Sequence, residues 1–215
     1  MKTMILANQT HQELPYSLNV CWKVFRRYLA FLLERSGKTT KDFVLDGNYE
    51  ETYKHLFLHF FKSDQSKFPL SKGIYMAGEM GVGKSMIMKA LVMAYNEVHK
   101  ERYYHFVNTK SFSDDISITK DLTKMVPFFR NGLVIDDLGR ETKASSYGFN
   151  QHVFGTILNK RYEAYSFNTT YITSNALINN QDHMKLLSSA YGSHIIDRLK
   201  EMFSFVELRS TNKRI

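Results

Sequence analysis

The chain has one cysteine, three prolines and no long hydrophobic run among its 215 residues. A single thiol, Cys21, excludes an intrachain disulfide and a zinc cage built from cysteines, and it suits a reducing compartment. With so few prolines, no internal repeat and no low-complexity tract, obvious linkers are missing and boundaries have to be read from pattern. No apolar stretch approaches the roughly 18 residues that span a bilayer, Tyr28 to Leu33 being typical of the longest candidates. The segment Met1 to Thr10 carries one lysine and too short an apolar stretch for a secretory signal. The expectation is a cytoplasmic protein that does not enter a membrane.

What is present fits a packed fold. Hydrophobic residues make up 43% of the chain and charged residues 23%, far from the composition of a disordered polymer. The length suits one main α/β core with a short appendage, because single cores run to roughly 250 residues before splitting. A formal net charge of +8 points to a polyanion partner such as nucleic acid, or else to a generally basic surface.

Apolar residues at helical spacing run from Val20 to Leu33, with Lys23, Arg26 and Arg27 between them, and again from Glu51 to Phe61. Ser36 to Asn48 reads as loop. From Lys72 onward strands and helices alternate. The strands are Ile74–Ala77, Tyr103–Val107, Leu133–Ile135, Thr170–Thr173 and Phe203–Leu208; the helices are Lys84–Val98, Phe112–Met125, Phe149–Tyr165 and Ile195–Met202. Alternation of this kind predicts a three-layer αβα fold around a central parallel sheet of five strands. Residues 1–68 then form a helical N-terminal extension for partner or DNA contact, and 69–215 the catalytic domain.

Gly78-Glu79-Met80-Gly81-Val82-Gly83-Lys84-Ser85 fills the P-loop pattern G-x-x-x-x-G-K-[ST], between a strand and a helix as that pattern requires. Glycines let the backbone bend around a phosphate, and the helix N-terminus adds positive field at the same point. The candidate ATP contacts are therefore Gly78 to Ser85 with the following Met86. Lys84 would reach the β- and γ-phosphates, and the Ser85 hydroxyl would ligate Mg2+. Leu133-Val134-Ile135-Asp136-Asp137 is an apolar strand ending in two carboxylates, suited to hold the metal through Asp136 and to polarise an attacking water through Asp137. Thr173-Ser174-Asn175 is a second polar strand tip, where Asn175 is either a sensor of the terminal phosphate or a plain turn residue. Arg198, in His194-Ile195-Ile196-Asp197-Arg198-Leu199, is either a finger presented to a neighbouring subunit's nucleotide or a helix-surface ion pair.

Together these residues resemble the DnaC and IstB branch of the AAA+ ATPases, bacterial helicase loaders and transposition helpers, over Lys72 to Arg214. Its marks are Asp136-Asp137-Leu138-Gly139, the Arg161-Tyr162 pair and Ile196-Asp197-Arg198-Leu199. The resemblance implies an AAA+ P-loop NTPase core with a RecA-like sheet and an ATPase that is slow until a partner or DNA stimulates it. It implies ATP-dependent homo-oligomers, Arg198 as the finger and Arg214 as a second sensor. Its loader members imply a replicative helicase and single-stranded DNA as partners; its transposition members imply a transposase and duplex DNA. Asp137 stands where most AAA+ proteins have glutamate, and His194 where the family often has arginine. A small-molecule kinase is the more distant third reading.

Three other features are assigned no chemistry. His55 and His59 are spaced i, i+4 but lack the glutamate of a zinc protease and a third ligand. Core packing explains most of the ten methionines, which include Met80, Met86, Met88 and Met93 around the P-loop helix. The stretch Lys23 to Lys41, with Arg26, Arg27, Arg35 and Lys38 among aromatic residues, is either a grip for DNA or a partner, or a solvated helix face.

Overall fold

A computed structural model of the protein describes residues 16–39, 47–140, 144–146, 149–151 and 153–208. Its elements in chain order are α1 (Leu18–Arg35), α2 (Gly47–Phe60), β1 (Gly73–Gly78), α3 (Lys84–Val98), β2 (Tyr104–Asn108), α4 (Thr109–Thr119), a 3-10 helix (Leu122–Phe129), β3 (Gly132–Leu138), β4 (Ala144–Ser146), β5 (Phe149–Gln151), α5 (Val153–Glu163), β6 (Thr170–Ser174), α6 (Gln181–Tyr191), α7 (Ile195–Met202) and β7 (Phe203–Leu208). Strand β1 shows why the chain stacks in layers. All six of its residues are buried, yet Ile74 and Met76 join one core and Tyr75 and Ala77 the other. Side chains on a strand alternate between faces, so a strand apolar on both faces has to be covered from both.

Helices α1, α2 and α3 cover one face, through residues such as Phe25, Phe57, Phe60 and Leu91. Helices α4 to α7 and the 3-10 helix cover the other, through Ile116, Phe128, Phe154, Leu187 and Leu199. The result is the expected three-layer αβα fold. The five-stranded sheet runs β2-β3-β6-β1-β7 with every neighbouring pair parallel, while β4 and β5 form a separate antiparallel pair. Because β6 lies between β3 and β1, its tip separates the acid pair from the P-loop: Ser174 is in register with both Ala77 and Leu138.

The helices of residues 1–68 share their core with the P-loop helix. Phe60 packs its ring against Tyr104 and Tyr171 with centroids 4.5 Å away from each. Phe57 in turn meets Trp22 of α1 edge-on at 4.9 Å. Each fully buried ring of this kind stabilises the fold by about 1.5–3 kcal/mol over an exposed one.

His59 is buried in this layer, with Nδ1 3.0 Å from the Tyr171 hydroxyl and Nε2 3.2 Å from the Pro69 carbonyl. Burial, then the nearby Lys62 ammonium, lowers its pKa to about 4. The folded protein thus holds the ring neutral where an unfolded chain protonates it near pH 6.5. Its stabilising contribution is complete above that unfolded value and is lost as pH falls toward 4, a loss of about 3 kcal/mol. Denaturation at pH 7 and pH 5 should show wild type losing more stability than His59→Gln; equal losses would disprove it.

Three stretches depart from the sequence pattern. The helix expected over Phe112–Met125 stops at Thr119, because Lys120 turns left-handed (φ 56°) and the Asp121 carboxylate caps a new 3-10 helix by accepting from the Thr123 N–H. The helix expected from Phe149 starts at Val153, since Phe149–Gln151 pairs with Ala144–Ser146. Helix α6, absent from the sequence reading, is capped by the Asn180 side chain, which accepts from the N–H groups of Asp182 and His183. The loop expected at Ser36–Asn48 falls partly outside the described residues, and Gly47 and Asn48 open α2.

Candidate functional site

The P-loop bends because three of its glycines adopt backbone that side chains disfavour: φ is 154° at Gly78, 89° at Gly81 and 93° at Gly83. At Gly78 a side chain is also excluded by space, since an added Cβ would lie 2.1 Å from the Leu208 carbonyl oxygen on β7. Helix α3 starts directly after Gly83, so its free N–H groups and its positive end face the loop.

Lys84 lies across this cradle. Its ammonium donates to the Gly78 carbonyl (2.7 Å), the Glu79 carbonyl (2.8 Å) and the Asn175 Oδ1 (3.0 Å). Burial draws its pKa below the ordinary lysine value, opposed by the attraction of Asp137 and then Asp136. P-loop, acid pair and strand tip are thus one electrostatic unit.

Asp136 is 5% exposed, and its carboxylate is oriented on both sides. Oδ1 accepts from the Thr173 hydroxyl at 2.7 Å, and Oδ2 from the Asn108 amide at 3.3 Å. Asp137 takes a left-handed backbone (φ 61°), a conformation tolerated by aspartate. Its N–H donates to the Thr173 Oγ1 (2.9 Å) and its carbonyl accepts from the Thr109 hydroxyl (2.8 Å). The Asp137 backbone is pinned at both ends, while its side chain meets Arg140 at 3.4 Å in a partly solvated pair.

Asn175 is presented by a turn that is itself tied down. The Ser174 hydroxyl donates to the Leu138 carbonyl (2.7 Å) and accepts from the Ala176 N–H (3.0 Å), and the Tyr75 hydroxyl donates to the Ala176 carbonyl (3.0 Å). Beside this turn a groove of about 350 Å³ is lined by Arg140, Asn175, His183 and Leu186, with no P-loop residue in it.

Arg198 does not join the cluster. Its Nη1 donates to the Asn159 Oδ1 (2.5 Å), and its guanidinium lies 4.8 Å from the centre of the Tyr162 ring, so α5 holds it. Arg214 lies outside the described residues. Thr173, Asn108 and Thr109 are the site residues that sequence reading did not single out. The signal was their position, each a polar residue at or just beyond the carboxyl end of a parallel strand, where such sheets place their ligands.

No protein-family model matches the chain, and no curated protein matches it. Solved structures do. The DnaC helicase loader aligns at 23% identity over 73% of this chain and 86% of its own, with a TM-score of 0.52. A protein described as a candidate primosome component from Streptococcus pyogenes serotype M3 aligns at 22% identity over 80% of this chain and 85% of its own, TM-score 0.59. DnaI aligns at 20% identity over 80% and 87%, TM-score 0.55. The chain has the fold of these proteins. Among the described residues no helix is long and apolar enough to cross a membrane.

Proposed function

We propose that this chain is an AAA+ ATPase of the DnaC type, which binds ATP with Mg2+, hydrolyses it slowly until stimulated, and joins single-stranded DNA to a replicative helicase. The observation that carries the chemistry is the meeting of Lys84, Asn175 and the Asp136-Asp137 pair at the ends of three neighbouring strands. The likeness of fold to a helicase loader supports the choice of partner.

The donor set suits a hard cation that takes oxygen ligands. Ser85 and Asp136 would hold Mg2+, and Thr173 and Asn108 already fix the Asp136 carboxylate. The metal neutralises charge on the phosphate oxygens when bound. Lys84 exchanges two carbonyls and the Asn175 oxygen for the β- and γ-phosphates. Asn175, released from Lys84, bonds the terminal phosphate or the attacking water, and Asp137 takes up the proton of that water. Arg198 leaves Asn159 and Tyr162 to reach the nucleotide of the neighbouring subunit in an ATP-dependent oligomer. Arg214 is the second sensor.

Calorimetry tests the base of this reading. Wild type should take up MgATP, and Lys84→Ala should bind it at least about thirtyfold more weakly, because truncating one partner of a buried charge contact costs about 2–5 kcal/mol. Equal affinities would overturn it. Hydrolysis without an added acceptor separates this function from a kinase. Co-purification under ATP then decides the partner: a helicase supports the proposal, while a transposase, with preference for duplex DNA at matched salt, overturns it in favour of a transposition helper.

A further inference from the structure

Helix α1 buries Cys21, Phe25 and Leu33 and turns the opposite side to solvent. On that exposed arc stand Val20, Lys23, Arg26, Arg27, Phe31 and Arg35. The spacing repeats at three to four residues, so these side chains share about half the helix circumference. Of the cations, Arg27 is engaged, sharing Glu97 of α3 with the Tyr28 hydroxyl. Lys23, Arg26 and Arg35 form no ion pair with any other described residue. Glu34 is the one carboxylate on the arc.

This face is not simply charged. Phe31 is 43% exposed and Val20 41%, and the Arg35 guanidinium lies 5.7 Å from the Phe31 ring centre. From Lys23 to Arg35 the cations extend about 18 Å along the helix. Resting on the DNA-binding part of the function proposed above, we infer that the outer face of α1 is a docking surface for single-stranded DNA. The cations pair with successive phosphates and Phe31 stacks on an unpaired base, a combination suited to a single strand because a duplex hides its base faces. Glu97, which anchors α1, lies near the end of α3 remote from Lys84, about 20 Å along that helix. The point at which α1 is anchored is therefore remote from Lys84.

Oligonucleotide binding is measured over a range of salt for the full chain, for the triple variant Lys23→Ala/Arg26→Ala/Arg35→Ala, and for Phe31→Ala. Removing three phosphate contacts should lower the slope of log affinity against log salt by about 2, with about tenfold or greater loss of affinity. Phe31→Ala should lose about tenfold with the slope unchanged, as removal of a stacking platform does. MgATP affinity, read on the same samples, should stay at the wild-type value. If wild type binds single strands and the triple variant binds them with the same slope, the inference fails while DNA binding stands. If wild type binds no DNA, that part of the proposed function fails and the inference with it. A triple variant that keeps its DNA slope but no longer captures a protein partner assigns the face to that partner and overturns the inference.

Discussion

Asp137→Asn should leave MgATP affinity within a fewfold of wild type and reduce the hydrolysis rate about 10²- to 10⁴-fold, the usual worth of a positioned general base. The geometry makes this a clean substitution. The backbone of residue 137 is held by Thr173 at its N–H and by Thr109 at its carbonyl, so asparagine inherits the same left-handed position. Asparagine tolerates that conformation as well as aspartate does. What disappears is the proton acceptor. The charge pair with Arg140 is also lost, but at 3.4 Å with a half-exposed guanidinium it contributes little. Asp136→Asn should behave differently, weakening magnesium-dependent binding itself, because that carboxylate is buried and fixed by two donors. Single-turnover hydrolysis beside calorimetry separates the two variants. A Asp137→Asn protein that hydrolyses ATP at the wild-type rate would remove Asp137 from the mechanism.

The parts of this site that were legible in the sequence are those whose chemistry is contiguous. Gly78 to Ser85 carries its loop, its cation and its hydroxyl within one short run, and the strand and helix around it could be read from period alone. The acid pair and Asn175 could be read as polar tips on apolar strands. Thr173 and Asn108 were not legible as site residues, because what makes them matter is a carboxylate on another strand, and sheet order is not written in local pattern. Thr173 bonds both Asp136 and the Asp137 N–H only because β6 lies beside β3. The β4 and β5 strands have three residues each, too few for alternation to register, so Phe149–Gln151 reads as the start of a helix and Ala144–Ser146 carries no pattern of its own. Helix α6 is not in the sequence reading, although Asn180 stands before it as a capping residue and Met184, Leu187 and Tyr191 follow at helical spacing. Arg161 was noticed as one of an Arg-Tyr pair, but its part in the fold depends on acceptors scattered from Phe128 to Thr170.

Arg161→Met should therefore destabilise the protein by about 3–5 kcal/mol, the scale of breaking a buried charged network. The side chain is wholly buried, and every donor group is used. Nε donates to the Thr170 Oγ1 (2.6 Å), Nη1 to the Phe128 and Asn131 carbonyls (2.7 Å each), and Nη2 to the Ser166 carbonyl (2.8 Å) and the Thr169 Oγ1 (3.1 Å). Burial lowers its pKa to about 10, which leaves it charged at neutral pH, balanced by carbonyl and hydroxyl dipoles. No described carboxylate forms an ion pair with it. Methionine fills much of the same volume but leaves these buried and part-buried acceptors without their donor, at a cost of about 1–3 kcal/mol for each one left unpaired. For a chain of this size the loss corresponds to a melting temperature lower by roughly 10 °C. Arg161→Lys, with one donor group in place of three, should fall between the two. The affected acceptors sit just before β3 and at the start of β6, so the strands that carry Asp136, Asp137 and Asn175 lose a common footing. At temperatures where the variant remains folded its MgATP affinity should stay near wild type, and the deficit should grow in step with the unfolded fraction. A melting temperature within about 2 °C of wild type, less than the shift from 1 kcal/mol, would show that the network adds nothing net to stability.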